Sequence, residues 1–296
     1  MINKVIGVSV GSDGAVWCAD SLGSLYMRVG SEWKRNPTAI ATEVAVGNSN
    51  NVWCRNRDGQ IFKLLGNTYD SGWGKDPIAS LVKQSISVGS DGTLWVVNTK
   101  NQLVKLEAGQ WKHNPTGKAQ EVSVGNANNV WCQNAEGRVF KLQGSAWDGT
   151  WVVDPLATNV VSIGAGDDGA VWIANHKGEL WARVGNEWRK NDKASNVIQV
   201  AVGNRNLVWC VNASGQIFHA QSNDYATYWV NVPPPVMPKR VHQVREGEWL
   251  LKIIREELHP PTDAKALAMA DQVAKYNGWA NREHVIHAGD MVILEM

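Results

Sequence analysis

Six tryptophans, Trp17, Trp53, Trp95, Trp131, Trp172 and Trp209, recur at intervals of 36, 42, 36, 41 and 37 residues. A period of that length restricts the chain to folds built by stacking copies of one supersecondary unit. Short and long intervals alternate, so the true unit is a pair: Trp17 to Trp95 is 78 residues, Trp95 to Trp172 is 77, and Trp53 to Trp131 to Trp209 is 78 twice. A second series, Trp33, Trp73, Trp111, Trp151, Trp188 and Trp229, keeps the same paired spacing. Six units in three tandem pairs thus occupy residues 1–232.

Glycine punctuates each unit. Gly11, Gly47, Gly89, Gly125, Gly166 and Gly203 lie six residues before the first tryptophan and read as turns. Six residues after it stand Gly23, Gly59, Asn101, Gly137, Gly178 and Gly215. Asparagine is the usual substitute where the backbone is left-handed, so this position demands positive φ. Between the turns lie short alternating runs, for example 5–10, 15–19, 25–29 and 33–36, which predict four strands per unit. Helical repeats of similar length need a 3.6-residue periodicity that is missing. The expected fold class is therefore mainly β, a six-bladed β-propeller of four-stranded blades.

These residues, a V-G-x-x-G or V-G-N-x-N turn, a V-W strand, x-G-x-[LIV] and a tryptophan at the fourth strand, resemble the tectonin repeat of tachylectin-1, fish-egg lectins and fungal tectonins. The resemblance implies a multivalent lectin that recognises surface glycans, including bacterial lipopolysaccharide and modified sugars. Some relatives act instead on membranes or partner proteins inside cells.

After the sixth unit, Pro233-Pro234-Pro235-Val236-Met237-Pro238 cannot supply a regular set of backbone donors, and 233–238 reads as a linker. The pattern beyond it predicts a small α+β unit over 239–296 in the order strand, helix, helix, strand: 241–244, 248–258, 263–276 with Asp263 as cap, and a closing strand within 285–294. Gly247-Glu248-Trp249 at its start and Asn277-Gly278 after the second helix resemble a LysM domain, with Glu248-Trp249 where that family usually carries Asp-Thr. The resemblance implies binding of N-acetylglucosamine polymers such as peptidoglycan at Gly247, Glu248, Trp249, Asn277 and Gly278, or docking into a larger protein assembly such as a phage-tail-like or contractile injection particle.

Every second unit has four extra residues before its fourth strand, and the insertion carries Tyr69, Trp147 and Tyr225, 78 residues apart each time. Their neighbours Asn67, Asp70, Asp148 and Asn223 supply amides and carboxylates. A ring face with such partners suits a pyranose, whose C–H face stacks while its hydroxyls hydrogen-bond. The alternative is that the rings pin a longer loop onto the neighbouring blade. Trp17 and its equivalents read as blade core.

Other chemistries find little support. Charged residues make up 19% with a net charge of +1, leaving no basic surplus for nucleic acid. Cys18, Cys54, Cys132 and Cys210 each follow a repeat tryptophan where the other units carry Val96 and Ile173, so they read as small core residues. Asp13, Asp91 and Asp168 sit in Asp-Gly turns, which explain them without a metal. His284-x-x-His287 lacks cysteine or carboxylate at zinc spacing. No nucleophile elbow, P-loop or dinucleotide fingerprint occurs, so a binding protein without cofactor or metal is expected rather than an enzyme. The start of the sequence lacks the apolar run of a secretory signal, and no stretch reaches the length of a membrane span. The expected location is the cytoplasm, or outside the cell by a non-classical route.

Overall fold

The computed structural model describes residues 4–76, 82–236, 241–258 and 260–294. Among these, six four-stranded antiparallel sheets each come from one continuous segment, paired in chain order. The first comprises Val5–Val10, Val16–Asp20, Ser24–Val29 and Glu32–Ile40. First strands of successive sheets are neighbours, and the sixth lies against the first. The result is a closed six-bladed propeller. Among the described residues no strand is exchanged between blades one and six, and side chains and apolar packing join them.

The core lies between blades. Each of the six junctions has its own apolar cluster, for instance Val8, Val10, Trp209 and Val211 between blades six and one, and Trp17, Ala19, Val46 and Leu64 between one and two. The six second-strand tryptophans are at most 8% exposed, which follows from their place on V-W strands covered on both faces. The four cysteines share those strands and are buried free thiols.

The two glycine series have different causes. Gly23, Gly59, Asn101, Gly137, Gly178 and Gly215 all have positive φ, from 61° to 94°, as expected from the asparagine substitution. Gly47, Gly125 and Gly203 are required by close approach instead: a Cβ on them would lie 2.1, 2.0 and 2.3 Å from the carbonyl oxygens of Gly89, Gly166 and Gly11. Successive blade tips touch backbone to backbone, and only glycine permits it.

Junctions alternate in kind, which explains the paired period. From odd to even blades, second-strand and outer tryptophans meet edge to face: Trp17–Trp73 at 6.0 Å, Trp95–Trp151 at 5.8 Å and Trp172–Trp229 at 6.0 Å. There a buried asparagine of the odd blade's outer strand grips the long loop of the next blade. Asn36 Nδ2 donates to the carbonyls of Tyr69 and Ser71, Asn114 to those of Trp147 and Gly149, and Asn191 to those of Tyr225 and Thr227. From even to odd blades, the buried tryptophan faces a cation or histidine instead.

After Val232 the chain passes through Pro233, whose carbonyl accepts from Trp33 Nε1 at 2.9 Å. Met237 and Pro238 lie outside the described residues. The C-terminal unit has the expected element order: Val241–Gln243 pairs antiparallel with Met291–Ile293, flanking α1 (Leu250–Leu258) and α2 (Asp263–Tyr276). Ile253, Ile254, Ala270, Val273 and Val292 form its core. The cap of α2 is Thr262 rather than Asp263; its hydroxyl accepts from Lys265 N at 3.2 Å, and Asp263 becomes the first helical residue, where its charge suits the helix dipole.

Asn114 satisfies two loop carbonyls and, through Oδ1, the amides of Thr116 and Gly117. Replacing Asn114 by Ala is expected to lower stability by about 2–3 kcal/mol, since buried partners are left unsatisfied, whereas exposed Asn67→Ala changes it by less than about 0.5 kcal/mol. Urea unfolding followed by tryptophan fluorescence measures both.

Candidate functional site

The long loops of the even blades place their rings through the asparagine grip. Because the backbone of Tyr69, Trp147 and Tyr225 is held from the preceding blade, the rings stand half-buried at the odd-to-even junction while Asn67, Asp70, Asp148 and Asn223 are exposed. The asparagine bonds pin the backbone, and the Tyr225 ring also packs on the apolar cluster between blades five and six. The odd blade contributes a basic residue beside the ring: Arg189 lies 5.6 Å from the Tyr225 centroid, and Lys34 is close enough to feel the Tyr69 phenol. Lys34, Lys112 and Arg189 recur 78 and 77 residues apart, so the signal that finds them is the same periodicity that found the rings. At the third junction Lys193 also covers Tyr228, 5.2 Å from its centroid, and Tyr228 is 62% exposed.

A second polar region fills the central channel, a cavity of about 260 Å³ lined by the first strands of all six blades. Neighbouring first strands splay and are joined by side chains. Ser9, Glu43, Ser87, Glu121, Ser162 and Gln199 each accept from a backbone amide of the next blade, respectively Val46, Ile86, Val124, Ile163, Val200 and Val8. Glu43 also pairs with Arg55 at 3.0 Å. Glu121 has no cationic partner among the described residues; burial, then the Glu43 charge, push its carboxyl up to about 8 against the bonds from Ile163 and Ser162.

Asp13, Asp91 and Asp168 do structural work at the blade tips. One oxygen of each closes its own turn, on the amides of Ala15, Thr93 and Ala170, and the other reaches the next blade at Ser49, Ala127 and Arg205. Burial raises their carboxyls, and these bonds outweigh it, holding all three below the ordinary value. Among the described residues no group of three or more His, Cys, Asp or Glu could hold a metal ion, and no helix is long and apolar enough to cross a membrane.

In the C-terminal unit most of the residues singled out from sequence are committed to internal bonds. Glu248 accepts from Arg245 N and contacts His242 Nε2, both at 2.7 Å, while Glu257 flanks His242 Nδ1 at 2.9 Å. Burial alone lowers the His242 imidazole, and the two carboxylates outweigh it and raise it. Asn277 is buried and ties the end of α2 to the closing strand through Val273 O, Ile293 O and Ile293 N. Gly247 and Gly278 have φ of 79° and 75°, and a Cβ on Gly278 would lie 2.0 Å from Pro37 O. That contact, with the Arg35 guanidinium 4.7 Å from the Tyr276 ring and donating to Tyr276 O, seats the unit on blade one. Trp249 is 50% exposed.

A closed ring of six four-stranded sheets defines a six-bladed β-propeller built from tandem repeats. The tectonin domain profile matches residues 40–152 and 118–238, about two-thirds of the chain together, and the chain belongs to the tectonin family. Solved structures extend the likeness of fold. The SapL1 lectin in complex with alpha methyl fucoside is 14% identical, with a TM-score of 0.53 over 80% of this chain and 97% of that one. Virginiamycin B lyase from Staphylococcus aureus, solved with quinupristin, is 15% identical with a TM-score of 0.53 over 80% and 86%. The WD40 repeats of RRP9 are 9% identical with a TM-score of 0.54 over 81% and 84%. At such identities the likeness is one of fold. No curated protein matches the chain.

The Glu121 carboxyl, raised above its ordinary 4.5 to about 8, holds a proton in the folded state that the unfolded chain releases. Stability from this group is greatest below pH 4.5 and falls as pH rises towards 8. Glu121→Gln is expected to flatten that decline, read as urea midpoints at pH 5 and pH 8; an unchanged slope would show that Glu121 is ionised throughout.

Proposed function

We propose that the chain is a multivalent carbohydrate-binding protein, acting by binding rather than catalysis on surface glycans such as lipopolysaccharide or modified sugars. The observation that carries this reading is the threefold recurrence of a half-buried aromatic residue, Tyr69, Trp147 and Tyr225, on a loop whose backbone a buried asparagine holds in place. A fixed ring stacks on a sugar without first losing loop entropy, and exposed Asp70, Asp148, Asn67 and Asn223 stand ready for hydroxyls. Membership of the tectonin family supports the reading, as does the shared fold with a lectin solved with a fucoside. Three equivalent sites on a rigid ring turn weak single contacts into avidity on a glycan-coated surface, a gain of about 10²–10⁴. Such a protein works in the cytoplasm or after release by a non-classical route.

The C-terminal unit, in this proposal a LysM-like module, either reads N-acetylglucosamine polymers such as peptidoglycan or docks the propeller into a larger assembly. One observation favours docking: Glu248, Asn277 and Gly278 are occupied within the fold, while the large apolar surface of Trp249 is exposed.

Replacing Tyr69, Trp147 and Tyr225 together by Ala is expected to cut retention on glycan-coated beads by at least about tenfold, with the propeller still giving a single cooperative urea transition. Retention equal to that of the parent protein would remove the three loops as the site. Trp249→Ala, assayed on peptidoglycan and in native co-purification, separates the two roles of the C-terminal unit: loss of pelleting marks a sugar reader, loss of co-purification a dock.

A further inference from the structure

The three junctions at which an even blade meets the next odd blade differ in charge. On each even blade the buried tryptophan has a cross-strand neighbour on the third strand: Lys63 for Trp53, Lys141 for Trp131 and His219 for Trp209. The third strand of the facing odd blade adds Leu106, Arg183 and Arg28 at matched positions, each opposite an outer-strand tryptophan. Only the junction of blades four and five thus places a lysine and an arginine on one indole. Lys141 Nζ and the Arg183 guanidinium lie 5.4 and 5.2 Å from the Trp131 centroid.

The same junction is open. A cleft of about 500 Å³ is lined by Trp131, Lys141, Arg183 and the amides of Asn126, Asn128, Asn129 and Asn186, a size that suits a sugar residue or a short glycan. Two of the amides serve the fold: Asn126 donates to Asp167 O and Asn129 to Gly166 O. Asn128 and Asn186 are exposed, and their side chains make no hydrogen bond among the described residues. The nearby carboxylates are already engaged: Asp154 pairs with Arg183, and Asp168 with Arg205 at 2.6 Å. Lys141, exposed and in no ion pair among the described residues, is the charge left without a counterpart.

We propose that this cleft is a second class of site that binds an acidic sugar, with Lys141 and the outer edge of Arg183 on the anionic group and Asn128 and Asn186 on ring hydroxyls. The proposal rests on the glycan-binding reading and goes beyond it in location and in ligand charge. A bare lysine over a tryptophan face is also ordinary cross-strand packing; the free amides and the open cleft beside it are what make the arrangement a binding site. The cleft's electrostatic attraction is short-ranged and weakens with salt.

The test uses the full chain on paired immobilised glycans: glucuronide-, N-acetylneuraminate- and sulfate-terminated, each against its neutral counterpart, at low and high salt. At least one acidic member is expected to bind about tenfold better than its neutral partner at low salt, a preference that shrinks as the Debye length falls below about 8 Å. Lys141→Gln is expected to abolish the preference while leaving the unfolding midpoint and neutral-glycan binding unchanged. Equal binding of acidic and neutral partners by the parent protein, or an undiminished preference in Lys141→Gln, overturns the proposal. Neutral binding lost only with the Tyr69, Trp147 and Tyr225 triple change shows that the loop sites stand even then; no binding to any glycan defeats both readings.

Discussion

A propeller places its first strands around an axis, splayed so that neighbouring blades share no backbone ladder, and the amides facing the next blade must find partners elsewhere. A buried amide left unpaired costs about 1–3 kcal/mol, so six junctions present a demand larger than any single packing gain. The chain meets it with at least one side-chain acceptor at every junction, Ser9, Glu43, Ser87, Glu121, Ser162 and Gln199 in turn, with Ser85 and Ser123 as second acceptors for Val122 and Ala165. This circuit, the glycine contacts at the blade tips and the interblade apolar clusters carry the closure of the ring.

The same alternation separates two kinds of surface groove. At odd-to-even junctions the tryptophans meet edge to face, the asparagine grip holds the long loop, and a half-buried ring stands beside a basic side chain, as Tyr225 does beside Arg189. At even-to-odd junctions the buried tryptophan instead meets Lys63, Lys141 with Arg183, or His219 with Arg28 across its ring. Each groove class occurs three times, but only the first keeps its chemistry constant; in the second, the pairs Lys63 with Leu106, Lys141 with Arg183, and His219 with Arg28 diverge.

How much of this was legible in the sequence depends on whether a residue's role repeats. Trp17 and its equivalents, and the Gly23 series with its Asn101 exception, announce strand and turn six times over, so blade number, strand order and positive φ follow directly. Asn36, Asn114 and Asn191 repeat just as regularly, yet asparagine before Pro37, Pro115 or Asp192 reads as an ordinary turn; its grip on a loop more than thirty residues away is a tertiary fact. The Gly47 series was legible as turns but not in its cause, since a φ outside the left-handed region and a neighbour 2.1 Å from a missing Cβ leave the same letter. In the C-terminal unit the strand and helix periods placed all four elements, whereas the cap shifted from Asp263 to Thr262 because both are good caps and Pro261 does not choose between them. Glu248 and Asn277 carried functional-looking chemistry in sequence, but one short unit offers no second copy to show whether a polar residue faces outward or binds its own backbone.

Symmetry also bears on where function resides. A role required by the fold must recur wherever the fold recurs, so a residue that departs from its equivalents is released from the common structural duty or has taken on another. Asp76 and Asp154 occupy the end of the outer strand on blades two and four, and Val232 takes that place on blade six. On blade four the acid neutralises Arg183; on blade six no acid takes its place among the described residues, and Arg28, wedged 5.7 and 5.6 Å from Trp33 and Trp209, keeps a buried Nη1 without a hydrogen-bond partner among them. A guanidinium tolerates this better than an ammonium would, since it is weakly hydrated and stacks on both indoles. The carbonyl of Pro233 meanwhile takes the Trp33 N–H, so the chain leaving the propeller does part of what an aspartate does elsewhere. Blade six has exchanged an ion pair for an exit route, and the C-terminal unit seated on blade one through Arg35 and Gly278 lies where that route leads.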